Sequence, residues 1–209
     1  MEKIYYQLLE MCKNIDFNIS LLEEMIHNID PNKELIDPGY TKARTTLLST
    51  ATTYANIEMV RLLLKHGANP NHILYEDKLL EQENPFWDLQ YNDFGETEEE
   101  NEVGLQMAQL MLDHGANPCI KISGEDLFSY VCFSVFNDLD GPELWEYRSK
   151  FFILLIAYGG NSECCRPQII KEFDKKDMSQ YSFLLIPHED GYHLTGEIRD
   201  GNYELIARV

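Results

Sequence analysis

The histidines are the residues of this chain best suited to chemistry, and their spacing does not favour catalysis. His66 and His114 each stand directly before a glycine at the end of an apolar segment, where an imidazole can interact with a helix C-terminus. His188 and His193 flank a polar stretch that suits a hairpin loop better than a metal site. The chain has no phosphate-binding glycine loop, Gly-x-Ser-x-Gly elbow or His-Glu-x-x-His pair. We therefore expect a protein that is not an enzyme and that uses no cofactor and no metal.

The cysteines are odd in number and scattered along the chain, at Cys12, Cys119, Cys132, Cys164 and Cys165. This usage is typical of reduced thiols in a cytosolic protein rather than of a disulfide framework, and no pair has the spacing of a zinc knuckle. The N-terminal residues lack the basic-then-apolar order of a secretory signal, and no apolar run approaches the ~20 residues that span a bilayer. These features predict a cytoplasmic protein without a membrane segment.

An acidic segment between Glu76 and Glu102 is the clearest sign of a binding function. It holds eleven carboxylates and a single lysine, Lys78. Aromatic residues interleave with it or adjoin it, at Tyr75, Phe86, Trp87, Tyr91 and Phe94. One interpretation is a solvated insertion, since blocks of like charge repel each other and hold water. The other is a surface for a cationic partner, on which aromatic rings supply contact area and carboxylates steer the approach.

The charge of the whole chain narrows the class of partner. The 209 residues suit one globular unit, and 17 basic against 36 acidic residues give a formal net charge of -19. Binding to phosphate backbones or anionic lipids depends on Lys and Arg, so we expect no nucleic-acid partner and no membrane. A protein with a basic surface is the partner that this charge favours.

A repeated sequence pattern predicts the helices that must position these residues. Residues 62–71 read Leu-Leu-Leu-Lys-His-Gly-Ala-Asn-Pro-Asn, and residues 110–119 repeat the pattern. Looser copies occur at 154–161 and 21–32. In the clearer copies an apolar helix end is closed by a glycine that can take the left-handed conformation, and Asn-Pro then turns the chain outward.

This pattern resembles the end of an ankyrin repeat. Residues 46–51 align with the Thr-Pro-Leu-His-x-Ala helix start of that family, and residues 56–64 align with its second helix. Further units open at 84–89 and 125–130 and close at 106–117 and 151–161. Residues 2–30 form a divergent first unit with helices near 2–13 and 18–28.

The spacing departs from the family pattern. The capping glycines Gly67, Gly115 and Gly159 stand 48 and 44 residues apart, whereas an ankyrin repeat has ~33. The excess must lie in extended loops or longer helices. An unrelated helical bundle with repeated glycine caps is the alternative fold.

The fold that we predict is mainly α, an ankyrin-repeat-like helical solenoid of about four units with a small C-terminal β-hairpin cap. The solenoid occupies residues 1–165 with an acidic insertion near 72–104, and residues 166–209 form the C-terminal helix and the cap. A helix is predicted at 167–173, a strand at 181–186, and a hairpin of 192–199 with 203–209 around Asp200-Gly201-Asn202. The hairpin would cover the open end of the stack.

The resemblance implies recognition of another protein and no particular reaction. The small size and the acidity are similar to bacterial stand-alone ankyrin proteins, several of which serve as immunity partners that neutralise a toxin. An acidic inhibitor would associate quickly with a basic toxin or nuclease. The alternatives are an adaptor or effector that binds a regulatory protein, and a small enzyme that uses the region of His188 and His193.

The concave face of a repeat stack usually carries its binding residues. By alignment, this face includes side chains from three inner helices, at Thr50, Thr53, Tyr54, Asp88, Tyr91, Ser129, Cys132 and Phe133. Combined with the acidic segment, it predicts partner contacts at Tyr54, Glu76, Asp77, Glu83, Trp87, Asp88, Tyr91, Asp93, Glu96, Glu98, Glu99 and Glu100.

Overall fold

A computed structural model describes residues 2–14, 19–37, 44–75, 82–90, 97–137 and 142–160, together with four short strands between residues 186 and 204. Its backbone contacts divide the chain into two compact units, Met1–Ala116 and Asn117–Val209. The division that the sequence suggests at residue 165 stays a prediction.

The described residues of the first unit form three pairs of helices and two antiparallel strand pairs. Its helices are α1 (Glu2–Cys12), α2 (Ile19–His27), α3 (Leu47–Thr53), α4 (Ile57–Lys65), α5 (Pro85–Asp88) and α6 (Glu98–Asp113). Strand β1 (Leu35–Ile36) pairs with β2 (Arg44–Thr45), and β3 (Leu74–Tyr75) pairs with β4 (Gln82–Glu83). The predicted helices near 2–13 and 18–28 are therefore confirmed, each to within one residue at either end.

The helices of the first unit pack in two layers. Helices α1, α3 and α5 contact one another in chain order, and α4 lies against both α3 and α6. The apolar residues at helical spacing fill the space between them, including the fully buried Leu8, Leu9, Leu48, Met59, Leu63, Phe86 and Met111. The chain thus buries its apolar stripes by repeating one arrangement of helix pairs.

Polar side chains begin the helices where the sequence predicts them to begin. The Thr46 hydroxyl accepts a hydrogen bond from the Ser49 N–H at 3.1 Å, and the Asn56 side chain accepts one from the Met59 N–H at 3.2 Å. The Asn56 amide also donates to the carbonyl oxygens that end α1, the nearest being Asn14 O at 2.8 Å. One asparagine therefore caps two helices of neighbouring repeats.

Glycines end the helices, as the repeated pattern predicts. Gly67, Gly115 and Gly159 have φ values of +88°, +85° and +94°, a conformation that glycine adopts without strain. In each copy the residue after the glycine donates a backbone hydrogen bond to a carbonyl five residues earlier, as in Ala68 N–H to Leu63 O at 2.9 Å. These bonds form the Schellman arrangement and satisfy carbonyls that the helix leaves open.

Asparagines connect each helix-ending turn to the next repeat. The Asn32 side chain donates to Gly67 O at 3.0 Å and accepts from the Asn69 N–H at 2.6 Å. The Asn71 side chain makes the matching bond to Gly115 O at 2.8 Å. The Asn-Pro-Asn sequence therefore does more than turn the chain, because its last residue holds the following repeat.

Cys119 takes the place of that asparagine after the third turn. It is disulfide-bonded, whereas Cys12 and Cys132 are free and buried. The expectation that all the cysteines are reduced is therefore wrong at Cys119. Spacing along the chain does not reveal such a bond, because a disulfide depends on the distance between residues in the folded molecule.

The second unit contains α7 (Leu127–Asn137) and α8 (Pro142–Ala157), which pack against each other. The rings of Phe128 and Phe152 join them, with centroids 5.1 Å apart. Before α7, strand β5 (Lys121–Ile122) pairs with β6 (Glu125–Asp126). Ser123 and Gly124 form the turn, and their φ values of +50° and +83° fit a type I′ hairpin.

The C-terminal strands form two antiparallel pairs. Strand β7 (Ile186–His188) pairs with β8 (Gly191–His193), and β9 (Glu197–Arg199) pairs with β10 (Asn202–Glu204). Residues 192 and 193 thus pair with β7, although the sequence suggested one strand over 192–199. The backbones of β9 and β10 lie near α8. The predicted helix at 167–173 lies outside the described residues, and the cap stays a prediction.

None of the helices in the described parts of the chain has the length and apolar character that crossing a bilayer requires.

The repeat register can be tested at Leu63 and Met111, which are both fully buried and occupy the same place in two repeats. We expect Leu63→Ala and Met111→Ala each to lower the free energy of unfolding by ~2–5 kcal/mol, because each leaves a cavity. Urea denaturation followed by circular dichroism measures the loss. The control is Ile36→Ala, at a residue of β1 that is 54% exposed, and it should cost under about 0.5 kcal/mol. Losses as small as the control at both buried sites would show that the register is wrong.

Candidate protein-binding surface

The structure describes only part of the predicted contact set. Glu76, Asp77, Tyr91, Asp93 and Glu96 lie outside the described residues. The described members belong to the first unit, on α3, β4, α5 and α6, and they are Tyr54, Glu83, Trp87, Asp88, Glu98, Glu99 and Glu100.

Tyr54 is the exposed aromatic residue at the end of α3. It caps the helix, its N–H donates to Thr50 O at 3.1 Å, and it is 37% exposed. Thr53 beside it is exposed as well, whereas Thr50 is buried and shares a hydrogen bond of 2.9 Å with the Thr45 hydroxyl. Of the residues predicted to project from this inner helix, Thr53 and Tyr54 therefore reach solvent.

Trp87 lies in the core and not on a surface that a partner could touch. It is 3% exposed, and its N–H donates to the Asn84 side chain at 2.8 Å. Helix α5 is a single turn, so its apolar residues Pro85, Phe86 and Trp87 are all needed to attach it to the core beside α3. Trp87 therefore supports the fold, and a partner would meet the polar end of this helix instead.

Asn84 fixes the position of α5. It is fully buried, its side-chain nitrogen donates to Pro70 O and His72 O at 2.9 Å, and its oxygen accepts from the Phe86 and Trp87 N–H groups. The side chain uses its donor and acceptor groups to join the preceding turn to the helix. The sequence signal for this role is an asparagine directly before a proline at a helix start.

Glu83 and Asp88 stand at the two ends of this short segment, and we call them the carboxylate pair because the charge of Glu83 acts on Asp88. Glu83 is exposed at the end of β4, and Asp88 is half-buried at the end of α5. Burial, and then the negative charge of Glu83, raise the pKa of Asp88 to about 7, although a backbone hydrogen bond from Asn84 opposes the shift. The fold therefore holds one carboxyl where ionisation is unfavourable.

Comparison of the repeats explains why this pair is unusual. Counted from the capping residues Thr46 and Asn84, Glu83 and Asp88 occupy the positions of Thr45 and Thr50. The two threonine hydroxyls satisfy each other at 2.9 Å. Two ionised carboxylates cannot do so, because both only accept hydrogen bonds. A cation near Asp88, such as the side chain of a lysine or arginine, would instead favour its ionised form.

The remaining acids lie at the start of α6. Thr97 caps this helix and accepts a hydrogen bond from the Glu100 N–H at 3.2 Å. Glu99 and Glu100 are exposed in its first turn, where negative charge interacts favourably with the helix dipole. They follow α5 in the chain, whereas Glu83 precedes it. The charge of Glu83 thus reaches Asp88, and Glu99 and Glu100 lie on the next helix.

The third inner helix of the prediction, α7, belongs to the second unit. Ser129 and Cys132 are buried there, and Phe133 is exposed. Phe133 is therefore the member of that set that reaches solvent.

The parts of the chain that the structure describes contain no group of three or more His, Cys, Asp or Glu residues placed to hold a metal ion. The predicted role of His114 at a helix end is confirmed, because its Nδ1 lies 2.8 Å from Leu110 O. The ring of His66 stands edge-on to that of His27, with centroids 6.2 Å apart.

The raised pKa of Asp88 makes stability depend on pH. An unfolded aspartate has a pKa near 3.9. The folded chain therefore binds the proton of the Asp88 carboxyl more tightly than the unfolded chain does. The stabilisation that this proton gives the fold is lost progressively as the pH rises from about 4 to about 7. We expect Asp88→Asn to raise the free energy of unfolding by about 1–3 kcal/mol at pH 8, and by about half as much at pH 5.5.

Urea denaturation at both pH values measures this difference. Glu102→Gln, which removes an exposed acid from α6, is the control and should leave stability within about 0.5 kcal/mol. An Asp88→Asn variant no more stable than the native chain at pH 8 would mean that the carboxyl ionises freely.

No curated protein matches the chain. Residues 44–73 match the family model of the ankyrin repeat. That range begins at β2, contains the capped helices α3 and α4, and includes the glycine turn at Gly67. Residues 44–73 are therefore an ankyrin repeat, a unit that generally mediates protein–protein interaction.

Proposed function

We propose that the protein binds a basic surface of another protein through the acidic side of its repeat stack and performs no reaction of its own. The observation that carries this proposal is the carboxylate pair of Glu83 and Asp88 on the repeat that follows the ankyrin repeat. Tyr54, which is 37% exposed, directly follows α3, and α3 packs against α5.

A cation from a partner would relieve the repulsion within the pair. A lysine or arginine side chain placed beside Glu83 and Asp88 would favour the ionised form of both carboxyls. Since the pKa of Asp88 is near 7, binding at neutral pH would release part of a proton. The pair would therefore contribute most to recognition of partners that bring a charge to this point.

The other acidic residues of the chain would attract a basic partner over a longer distance. The net charge is -19, and the segment from 76 to 102 alone holds eleven acids. Exposed carboxylates such as Glu99 and Glu100 raise the rate of encounter with a basic protein more than they hold it once bound. Tyr54 would supply contact area, since tyrosine often anchors interfaces.

We propose more specifically that the partner is a toxin or nuclease and that the protein is its inhibitor or immunity protein. A nuclease surface that holds nucleic acid is basic, because it must neutralise phosphates. An acidic protein that covers such a surface would block access of the substrate. Binding to the same basic surface would thus produce inhibition without catalysis.

We also propose that α7 and α8 form a fourth unit of the solenoid and that the C-terminal strands cap it. The glycine turn after α8 repeats the geometry of the two earlier turns, which supports the first point. The closeness of β9 and β10 to α8 supports the second. A cap would cover the apolar face that a last repeat otherwise exposes.

The partner proposal is tested by affinity capture from the native host, mass spectrometry, and stopped-flow measurement with the captured protein. We expect a basic partner whose association rate falls at least ~10-fold between about 50 and about 500 mM NaCl, while the dissociation rate changes much less. The joint variant Glu99→Gln/Glu100→Gln should slow association. The joint variant Glu2→Gln/Glu24→Gln removes the same charge from α1 and α2 and should slow it less.

Two results would contradict the proposal. One is an affinity that ignores both salt and the change at Glu99 and Glu100, which would make the acidic segment a solvated insertion. The other is a captured toxin that keeps its enzymatic activity, because the inhibitor proposal requires that this activity falls to zero at an equimolar amount of this protein. A partner with unchanged activity would instead indicate an adaptor.

The cap is tested by deleting residues 192–209. Loss of the cap should expose apolar surface, so we expect aggregation or a broader and lower thermal transition. Light scattering and differential scanning calorimetry measure these properties. A truncated chain that stays dispersed and melts as the full chain does would show that these residues are dispensable to the fold.

A further inference from the structure

An apolar groove of about 760 Å³ runs along α1 and α2 on the side that faces away from their buried residues. Its apolar lining is formed by Ile4, Tyr6, Met11, Leu21 and Met25. Tyr6 is 43% exposed and Leu21 is 52% exposed. The buried residues of α1, including Leu8 and Leu9, point the other way into the first unit.

The outer face of the last unit in a repeat stack is in contact with water, and this groove differs from such a face. Such a face is normally polar, since exposed apolar surface promotes association. Here two large apolar side chains reach solvent within one groove. Flexible methionines beside them suit a surface that adapts to a second molecule.

Two charged residues of opposite sign line the groove. Lys3 and Glu10 both line it and lie on the same helix, seven residues apart. They are equidistant from the point between Tyr6 and Gln7. Seven residues of helix span about 10 Å, so the charges flank the centre by about 5 Å on each side.

We propose that this groove is the interface of a homodimer in which two copies of α1 pack antiparallel about a two-fold axis near Tyr6 and Gln7. The axis places Lys3 of one copy opposite Glu10 of the second, and the reverse pair follows by symmetry. The apolar residues of each copy then cover those of the other. The groove is thus complementary to itself in both charge and apolar character.

Glu10 is available for this contact. It bonds Lys13 at 3.2 Å, yet its side chain remains largely exposed. Lys13 is also bound to the buried Asp37 at 3.1 Å, which holds that lysine in place independently of Glu10. Glu10 can therefore accept a second cation without releasing the first.

The overall charge opposes self-association less at this position than at the acidic segment. Residues 2–27 contain five acids and two lysines, whereas residues 76–102 contain eleven acids and one lysine. Two copies joined through α1 thus meet at a weakly charged face. The dimer also leaves α5 and α6 outside the contact, so its existence is independent of the proposed partner surface.

Sedimentation equilibrium from about 1 to about 200 µM protein tests the dimer. The groove has eight lining residues, few against the ~20–30 a side of a stable interface, so we expect the apparent mass to rise from 24.4 kDa towards twice that value within this range. Tyr6→Glu would bury a charge at the centre and should weaken the dimer at least ~100-fold. Ile36→Glu makes the same kind of change at a residue of β1 that is 54% exposed, and it should have no effect.

Charge exchange tests the antiparallel arrangement. Lys3→Glu and Glu10→Lys should each weaken self-association about tenfold, because each places two like-charged pairs across the axis. The chain with both changes should dimerise as the native protein does. A mixture of the two single variants should form heterodimers, since each then faces the opposite charge.

The proposal is overturned if the native chain stays monomeric throughout the range, or if Tyr6→Glu and Ile36→Glu dimerise equally. It is also overturned if a dimer forms that ignores the charge exchange, since that contact would not be the antiparallel one. Circular dichroism of each variant establishes that the fold is retained.

Discussion

Asparagine side chains that satisfy backbone groups at helix ends are the interaction on which the rest of the first unit depends. Short helices leave many N–H and C=O groups without partners, and burying such groups unbonded would cost more than the helices gain by packing. Asn56 and Asn84 each cap a helix while donating to the preceding segment, and Asn32 and Asn71 hold the turns that follow. These bonds let the chain exceed the usual repeat length and still stack its helices.

The candidate surface follows from one of these bonds. Asn84 fixes the start of α5 against the turn that precedes it, and the apolar residues of α5 then hold the helix in the core. Asp88 therefore ends that helix where the charge of Glu83 acts on it, and the two acids occupy positions at which the preceding repeat has two threonines. A repeat can therefore acquire binding residues through a change of side chains alone, because its backbone stays the same.

Local signals in the sequence predicted the helix ends, since glycine turns and polar caps depend on a few neighbouring residues. The burial of Trp87 was not predicted, because alignment placed it on an inner helix without showing that the helix is a single turn. The two-residue strands were not predicted because they are too short to show an alternating pattern of apolar and polar residues. The disulfide at Cys119 was not predicted because it depends on which residues are close in the folded chain. The Glu83 and Asp88 pair could have been found by aligning the repeats position by position from their caps.

We propose that a cation of the partner lies beside Glu83 and Asp88 in the complex, and the proton that binding displaces reports whether it does. Isothermal titration calorimetry at pH 7 in buffers of different ionisation enthalpy gives the number of protons released. The native chain should release about 0.3–0.5 proton more than Asp88→Asn, because the cation favours the ionised carboxyl whose pKa is about 7. Equal proton release by the two chains would contradict the account.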